Sequence, residues 1–431
     1  MNRITRRDFS AGLLGAGALA AVRQSKLNAF AANETMRTAV IGCRTRGPQL
    51  AKRVIAANHL KLAALCDCDA DVLKHARKYI AHDMPVPPGV RDVKDFRRVL
   101  DDPSIDVVFI ATPDHWHAVM TIMALQAGKH VYIEKPASFN INEGKAMVAA
   151  QQKYKSQTVQ VGSQQRSARH FAEAKQFIDA GGLGRVAFAR AWITNDKGTL
   201  PPVPDSAPPT SLDYDLWLGP APFRPYNKNR LHYSWHFMRD TGTGYMANWG
   251  AHWLDVVRWF LDIDLPSAVS SHGVKLIDDI KEWPDTHTVL YEYPDITVLW
   301  EQRIWTTYGV HDKSCGVEFH GDRGVMFIDR HGWTFYPKGG KPVEHPGTED
   351  FMTIRHVENF VECIRGNAKP AASIEQGHHT AILCHLGNMA ATVQRRLKFD
   401  PATQTIQNDA EATDLMSRQY RAPWSLPAVS M

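Results

Sequence analysis

Apolar positions in the first third of the chain fall into short continuous runs, separated by stretches with helical spacing. Met36–Ile41 (MRTAVI) and Leu60–Cys66 (LKLAALC) read as strands, and residues 107–111 (VVFIA) as a buried one. A fourth run opens residues 131–138 (VYIEKPAS), where Pro136 stops the ladder. Between them, residues 48–57, 71–80, 92–100 and 117–127 read as helices. Asn140 is placed to cap a helix over 141–155, and 158–161 reads as one more strand. Strands buried on both faces and alternating with helices predict a parallel sheet, hence an α/β domain over residues 36–165.

The pattern changes near residue 186. Residues 186–193, 287–293, 297–304, 316–320 and 324–328 alternate with period two and have little helix between them, as an antiparallel sheet with one wet face does. Helices are expected over 249–261, 356–365 and 378–396, and residues 200–209 form a Pro-rich loop. The second domain therefore reads as α+β over 166–424, with helices 356–396 packing back toward the first. A sheet face carrying Trp300, Ile304 and Phe327 would be an exposed apolar patch unless covered, and a homodimer or homotetramer would cover it.

The N-terminus reads as an address. Thr5-Arg6-Arg7-Asp8-Phe9 precedes an apolar run at 11–22 that is too short and small-sided to span a membrane. Ala29-Phe30-Ala31 then supplies a small-x-small cleavage site. Residues 1–32 are thus expected to be a Tat signal peptide that exports a folded protein to the periplasm and leaves no membrane anchor once removed. Export permits disulfides. Even so, Cys43, Cys66, Cys68, Cys315, Cys363 and Cys384 read mostly as small buried residues. The net charge of +5 is scattered without a basic block, which argues against a nucleic-acid partner.

Candidate chemistry begins at the turn after the first strand. Gly42, Arg44, Thr45, Arg46 and Gly47 stand where a dinucleotide-binding turn would meet a pyrophosphate. Arg44 occupies the place of the usual middle glycine, so Arg44 or Arg46 would offer a charged contact instead. Asp67, ending the second strand, is placed to accept ribose hydroxyls and would repel a 2′-phosphate, which favours NAD over NADP. Lys135 would stand at the carboxyl edge of the sheet, where ligands bind in open α/β folds. His115 and His117 read as cofactor-side contacts rather than metal ligands, and no metal site is expected. Trp192, Trp235, Trp249 and Trp253 are candidates both for a sugar-stacking platform and for the core.

Thr112-Pro113-Asp114-His115-Trp116-His117, Glu134-Lys135-Pro136, Trp217-Leu218-Gly219-Pro220, GTGYMANWGAHWLD at 242–255 and the closing YRAPW together resemble the Gfo/Idh/MocA family, from about residue 37 to 424. The resemblance implies a Rossmann domain followed by an α/β domain with a large, mostly antiparallel open sheet that often serves oligomer contacts. It implies cofactor contacts at Thr112, Pro113, Glu134, Lys135 and Gln164. It also implies that Lys135 touches the nicotinamide ribose and the substrate hydroxyl, and that His252 is the catalytic histidine. Many members carry an aspartate four residues before that histidine. Here it is Asn248, which can orient a hydroxyl but cannot take a proton. Asp255 is expected to orient His252 or to bind sugar hydroxyls. The implied activity is hydride transfer between a carbohydrate hydroxyl carbon and tightly bound NAD. One alternative is an NAD-dependent glycosidase acting by transient oxidation, elimination, hydration and re-reduction. Another is a non-catalytic sugar-binding protein that retains the fold.

Overall fold

The computed structural model describes residues 35–347 and 352–429, so the expected export signal lies outside the described residues. Strands β1 (Met36–Ile41), β2 (Leu60–Cys66), β3 (Arg91–Val93), β4 (Val107–Ile110), β5 (His130–Ile133) and β6 (Val159–Val161) form one sheet in the order β3-β2-β1-β4-β5-β6. Every pair is parallel. Helices cover both faces, so β4 is buried along its whole length. Strand order reverses between β1 and β4, which opens a crevice beyond their carboxyl ends.

Residues 92–100 are not one helix. Arg91–Val93 pairs with β2, and a short helix, Phe96–Leu100, follows. The Asp95 carboxylate accepts the Arg97 N–H at 2.9 Å, so this cap sets the helix start after the strand has ended. The 141–153 helix does start as expected, with the Asn140 side chain accepting the Glu143 N–H at 2.9 Å.

The second sheet has ten strands: β7 (Val186–Thr194), β8 (Ala268–Val274), β9 (Thr286–Glu292), β10 (Thr297–Arg303), β11 (Cys315–Gly321), β12 (Gly324–Asp329), β13 (Gly332–Pro337), β14 (Val343–Pro346), β15 (Leu397–Asp400) and β16 (Thr405–Ile406). Its order is β14-β13-β12-β11-β7-β10-β9-β8-β15-β16, antiparallel except where β10 pairs with β7. Helices Gly244–Leu261 and Ile374–Val393 share the core on one face. Trp300 and Ile304 belong to that core, and neither is part of an exposed patch. Phe327 points to the opposite face but is buried too, stacked on Trp192 at 5.6 Å. Period-two alternation shows that a strand has two kinds of face. It cannot show what covers each one.

Helices Met352–Ile364 and Ile374–Val393 dock on the parallel-sheet domain. Phe360 meets Phe109 and Tyr132 edge-on, each at 5.8 Å, and Ile374 joins the cluster around β6. All six cysteines are unpaired. No described helix is long and apolar enough to cross a membrane.

The turn after β1 is where backbone freedom matters most. Gly42 has φ of +86°, and a Cβ there would lie 2.6 Å from the Ala111 carbonyl carbon. A Cβ on Gly47 would lie 1.9 Å from the Gly42 oxygen, so the helix seats against the turn only with glycine at that position. Gly47→Ala should therefore cost about 1–3 kcal/mol of stability and, where the turn holds the dinucleotide expected from the sequence, weaken its binding at least about tenfold. Thermal melting and a fluorescence titration would measure the two effects.

Candidate active site

A cavity of about 350 Å³ fills the crevice at the strand-order reversal. Gly42, Arg44, Thr45, Arg46, Asp67, Thr112, Pro113, Glu134, Lys135, Gln164, Asn248 and His252 all line it, so most of the residues expected from the sequence converge. Gly47 sits beneath the turn as packing, buried and outside the lining.

At one end, the Asp67 carboxylate accepts the N–H groups of Cys43 (2.7 Å) and Asp69 (3.1 Å). Burial raises its pKa, and these two donors oppose the rise. Arg46 donates through Nε to Glu134 at 2.8 Å and through Nη1 to Gln49 at 3.1 Å. Arg44 is exposed at the rim, and Arg46 Nη2 is buried without a hydrogen-bond partner among the described residues, so both arginines have N–H groups for a phosphate. Thr112 Oγ1 and Gln164 Oε1 are buried with no hydrogen-bond partner among the described residues, and both residues line the cavity. A strand-end carboxylate, a backbone turn that excludes Cβ atoms and two orphaned polar atoms fit a dinucleotide. A segment of the second domain crosses this end: His232 Nε2 lies 2.8 Å from Asp69, Asp213 N donates to Cys68 O at 2.9 Å, and Lys94 pairs with Asp213 at 2.8 Å.

At the other end, Lys135 Nζ donates to the Asn248 backbone oxygen (2.9 Å) and to its Oδ1 (2.7 Å). Burial pushes the lysine down to about 8, with Arg330 and Arg46 adding to the fall while Glu134 and Asp114 oppose it. His252 lies one helical turn beyond Asn248. Burial, then Lys135, Arg330 and Arg46, hold its pKa well below the usual value, so the imidazole is neutral. Its Nδ1 is buried without a partner among the described residues, and the residue lines the cavity.

Three expectations need correction. His115 does not touch the cavity: its ring nitrogens each lie 3.1 Å from a carbonyl oxygen, of Thr241 and Trp217, and burial pushes it down to about 3. His117 is likewise enclosed, its nitrogens 2.7 Å from Pro136 O and 3.0 Å from Thr112 O. Both histidines tie loops together. Asp255 has no bond to His252 and does not line the cavity. Arg166 grips it with two bonds of 2.7 and 2.9 Å, and Thr380 donates a third at 2.9 Å. A step of three residues turns a helix by about 300°, which is enough to aim Asp255 at a different neighbour.

The tryptophan question resolves by position. Trp235 and Trp249 line the cavity, while Trp192 and Trp253 are core residues. The sequence reading missed Arg330, His232, Tyr233 and His236, which also line it. Arg330 sits in the turn between β12 and β13 with its guanidinium 5.2 Å from the Trp249 ring, and no motif marks it. The run HYSWH at 232–236 was the available signal, a dense cluster of aromatic and imidazole groups in a loop.

Residues 36–163 match an oxidoreductase family with an NAD-binding Rossmann fold, and residues 186–300 and 347–426 match an oxidoreductase family C-terminal alpha/beta domain. The chain is 28% identical over 351 residues to a scyllo-inositol 2-dehydrogenase (NAD(+)) of Bacillus subtilis, covering 78% of this chain and 88% of that protein. It is 29% identical over 194 residues to a glycosyl hydrolase family 109 protein of Saccharopolyspora erythraea, covering 43% of this chain and 42% of that one. Its fold is similar to that of a levoglucosan dehydrogenase solved with NADH and levoglucosan (TM-score 0.66, 19% identity, 85% and 99% of the two chains).

If Asp255 is structural, Asp255→Asn leaves the Arg166 cation buried without its counter-charge. The expected loss is about 3–5 kcal/mol, read as a lower melting temperature. The KM of the fraction that remains folded should change less than about threefold.

Proposed function

Because the chain belongs to the Gfo/Idh/MocA oxidoreductase family and carries its NAD-binding Rossmann domain, we propose that it oxidises a secondary hydroxyl of a sugar or cyclic polyol. NAD supplies the hydride acceptor. The observation that carries the proposal is the meeting of Lys135, Asn248 and His252 in the cavity that Asp67 and the Gly42 turn also line. The names of the inositol and levoglucosan dehydrogenases support the substrate class.

The chain's own residues divide the work. Asn248 presents two acceptors, its Oδ1 and its backbone oxygen, to the lysine. A neutral amine has two N–H bonds to give them, which leaves its lone pair for the substrate hydroxyl. His252, held neutral, offers a ring nitrogen beside it, and the two groups share the hydroxyl proton. Trp235 and Trp249 give the cavity an apolar wall.

Export through the Tat route, with the cofactor retained by the segment from Asp213 to His232, belongs to the same proposal. The twin arginines Arg6-Arg7 support the first part, and the contacts of that segment with Cys68, Asp69 and Lys94 support the second. Assembly into a homo-oligomer through the outer face of the ten-stranded sheet belongs to the same proposal. The relative named as a family 109 glycosyl hydrolase favours a second reading, cleavage of a glycoside by transient oxidation without net redox.

The test is to add scyllo-inositol, levoglucosan and simple glycosides to the NAD-loaded protein and follow reduced-nicotinamide absorbance. Reduction by a free polyol, lost by about 10²–10⁴ in His252→Ala, supports the dehydrogenase. Aglycone release without net reduction supports the glycosidase, and neither signal with any carbohydrate sinks both. The pH profile gives a sharper check. Only the neutral amine can take a proton, so kcat/KM for oxidation should rise with pH through about 8, the value to which Lys135 is pushed. In Asn248→Asp the added carboxylate favours the charged lysine, so the same limb should move up by about 1–3 pH units. A limb that stays put would assign it to another group.

A further inference from the structure

The wall made by the 232–236 loop contains a second imidazole that the proton chemistry above does not use. His236 lies in the single turn Ser234–Phe237 and lines the cavity with Lys135, Asn248, Trp249 and His252. Its Nδ1 is 2.6 Å from the carbonyl oxygen of Tyr233. A carbonyl oxygen can only accept, so Nδ1 carries the hydrogen and Nε2 holds a lone pair. Among the described residues Nε2 has no hydrogen-bond partner.

The ring is held in place. It stacks on Trp235 at 3.7 Å and 18°, and Trp235 O accepts the Thr241 hydroxyl at 3.0 Å. Gly242 packs so closely that a Cβ there would lie 2.6 Å from the His236 Cα. Burial foremost, with Lys135 adding to it, pushes the imidazole down to about 3 against the pull of the Tyr233 carbonyl, so it is neutral throughout the working range. His236 is partly exposed on the cavity wall, so its fixed, neutral Nε2 is open to a donor from a ligand, in exchange for water.

We propose that His236 is a substrate-binding residue whose Nε2 accepts a hydrogen bond from a carbohydrate hydroxyl other than the one oxidised, and so selects the substrate's hydroxyl pattern. This rests on the carbohydrate reading above. Sites built to pair a substrate hydroxyl reject analogues that lack it far more strongly than apolar pockets reject a change of size.

The experiment compares the NAD-loaded wild type with His236→Leu, which keeps bulk without an acceptor, and His236→Gln, whose amide reaches the place of Nε2. Substrates are scyllo-inositol, levoglucosan and their monodeoxy analogues. In His236→Leu, KM should rise about 10–100-fold with kcat changed less than about threefold, and NADH binding should be unaffected. One deoxy analogue should be used equally well by wild type and His236→Leu, and His236→Gln should recover part of the loss.

Unchanged KM in His236→Leu, or an equal loss with every analogue, overturns the proposal while leaving the oxidoreductase reading intact. A wild type that oxidises none of these compounds overturns both. If His236→Leu fails to fold, imidazole ¹⁵N spectra of the wild type decide. The Nδ1–H tautomer, with an Nε2 signal that moves on adding the sugar, supports the contact, and a still signal overturns it.

Discussion

A buried polar junction at Asp114–His117 holds the two domains in register. Asp114 accepts both the N–H (3.1 Å) and the hydroxyl (2.6 Å) of Thr243, immediately before the helix that carries Asn248 and His252. Trp116 Nε1 donates to Trp217 O at 3.1 Å, and the His115 ring lies at the same distance from that oxygen. His117 reaches back to Pro136, one residue past Lys135. Arg418 and Trp424, near the end of the chain, close over the same point through His115 O (2.6 Å) and the Trp116 ring (4.7 Å). Segments far apart in the chain are thus tied by groups that have no water to fall back on, and their geometry is stiff for that reason.

That stiffness sets the chemistry. Lys135 rises from the first domain and its two acceptors come from the second, so the amine is oriented only when the domains are seated. The cations Lys135, Arg330 and Arg46, together with burial, keep His252 from charging. The anions Glu134 and Asp114 keep Lys135 from falling further than about 8. Balanced fields of this kind place a lysine where it can exchange protons near neutral pH.

Much of this was legible in advance. The strands of the parallel sheet announce themselves as continuous apolar runs; the turn after β1 was legible only as an imperfect glycine pattern at Gly42 and Gly47, and the structure adds that a Cβ has no room at either. Lys135, Asn248 and His252 were named from motifs and do meet. The failures share a cause. His115, His117 and Asp255 carry reactive groups in motif positions, yet each one's partners are carbonyls or side chains brought in from far along the chain. Their role could not be read without those partners. Trp192 and Trp253 could not be told from Trp235 and Trp249 for the same reason.

Local sequence determined the α/β class of the first domain, the alternating strands of the second, the family to which the chain is similar, and the residue types able to move a proton. Those follow from periodicity, turn sterics and side-chain chemistry, which are properties of neighbouring residues. Only the tertiary structure decided which polar side chains face the cavity, which brace it, and that Arg330 and the 232–236 loop complete the cavity wall. Burial and electrostatic environment are set by residues hundreds of positions apart. The same histidine is a loop tie at 115 and a candidate base at 252 according to what folding packs around it.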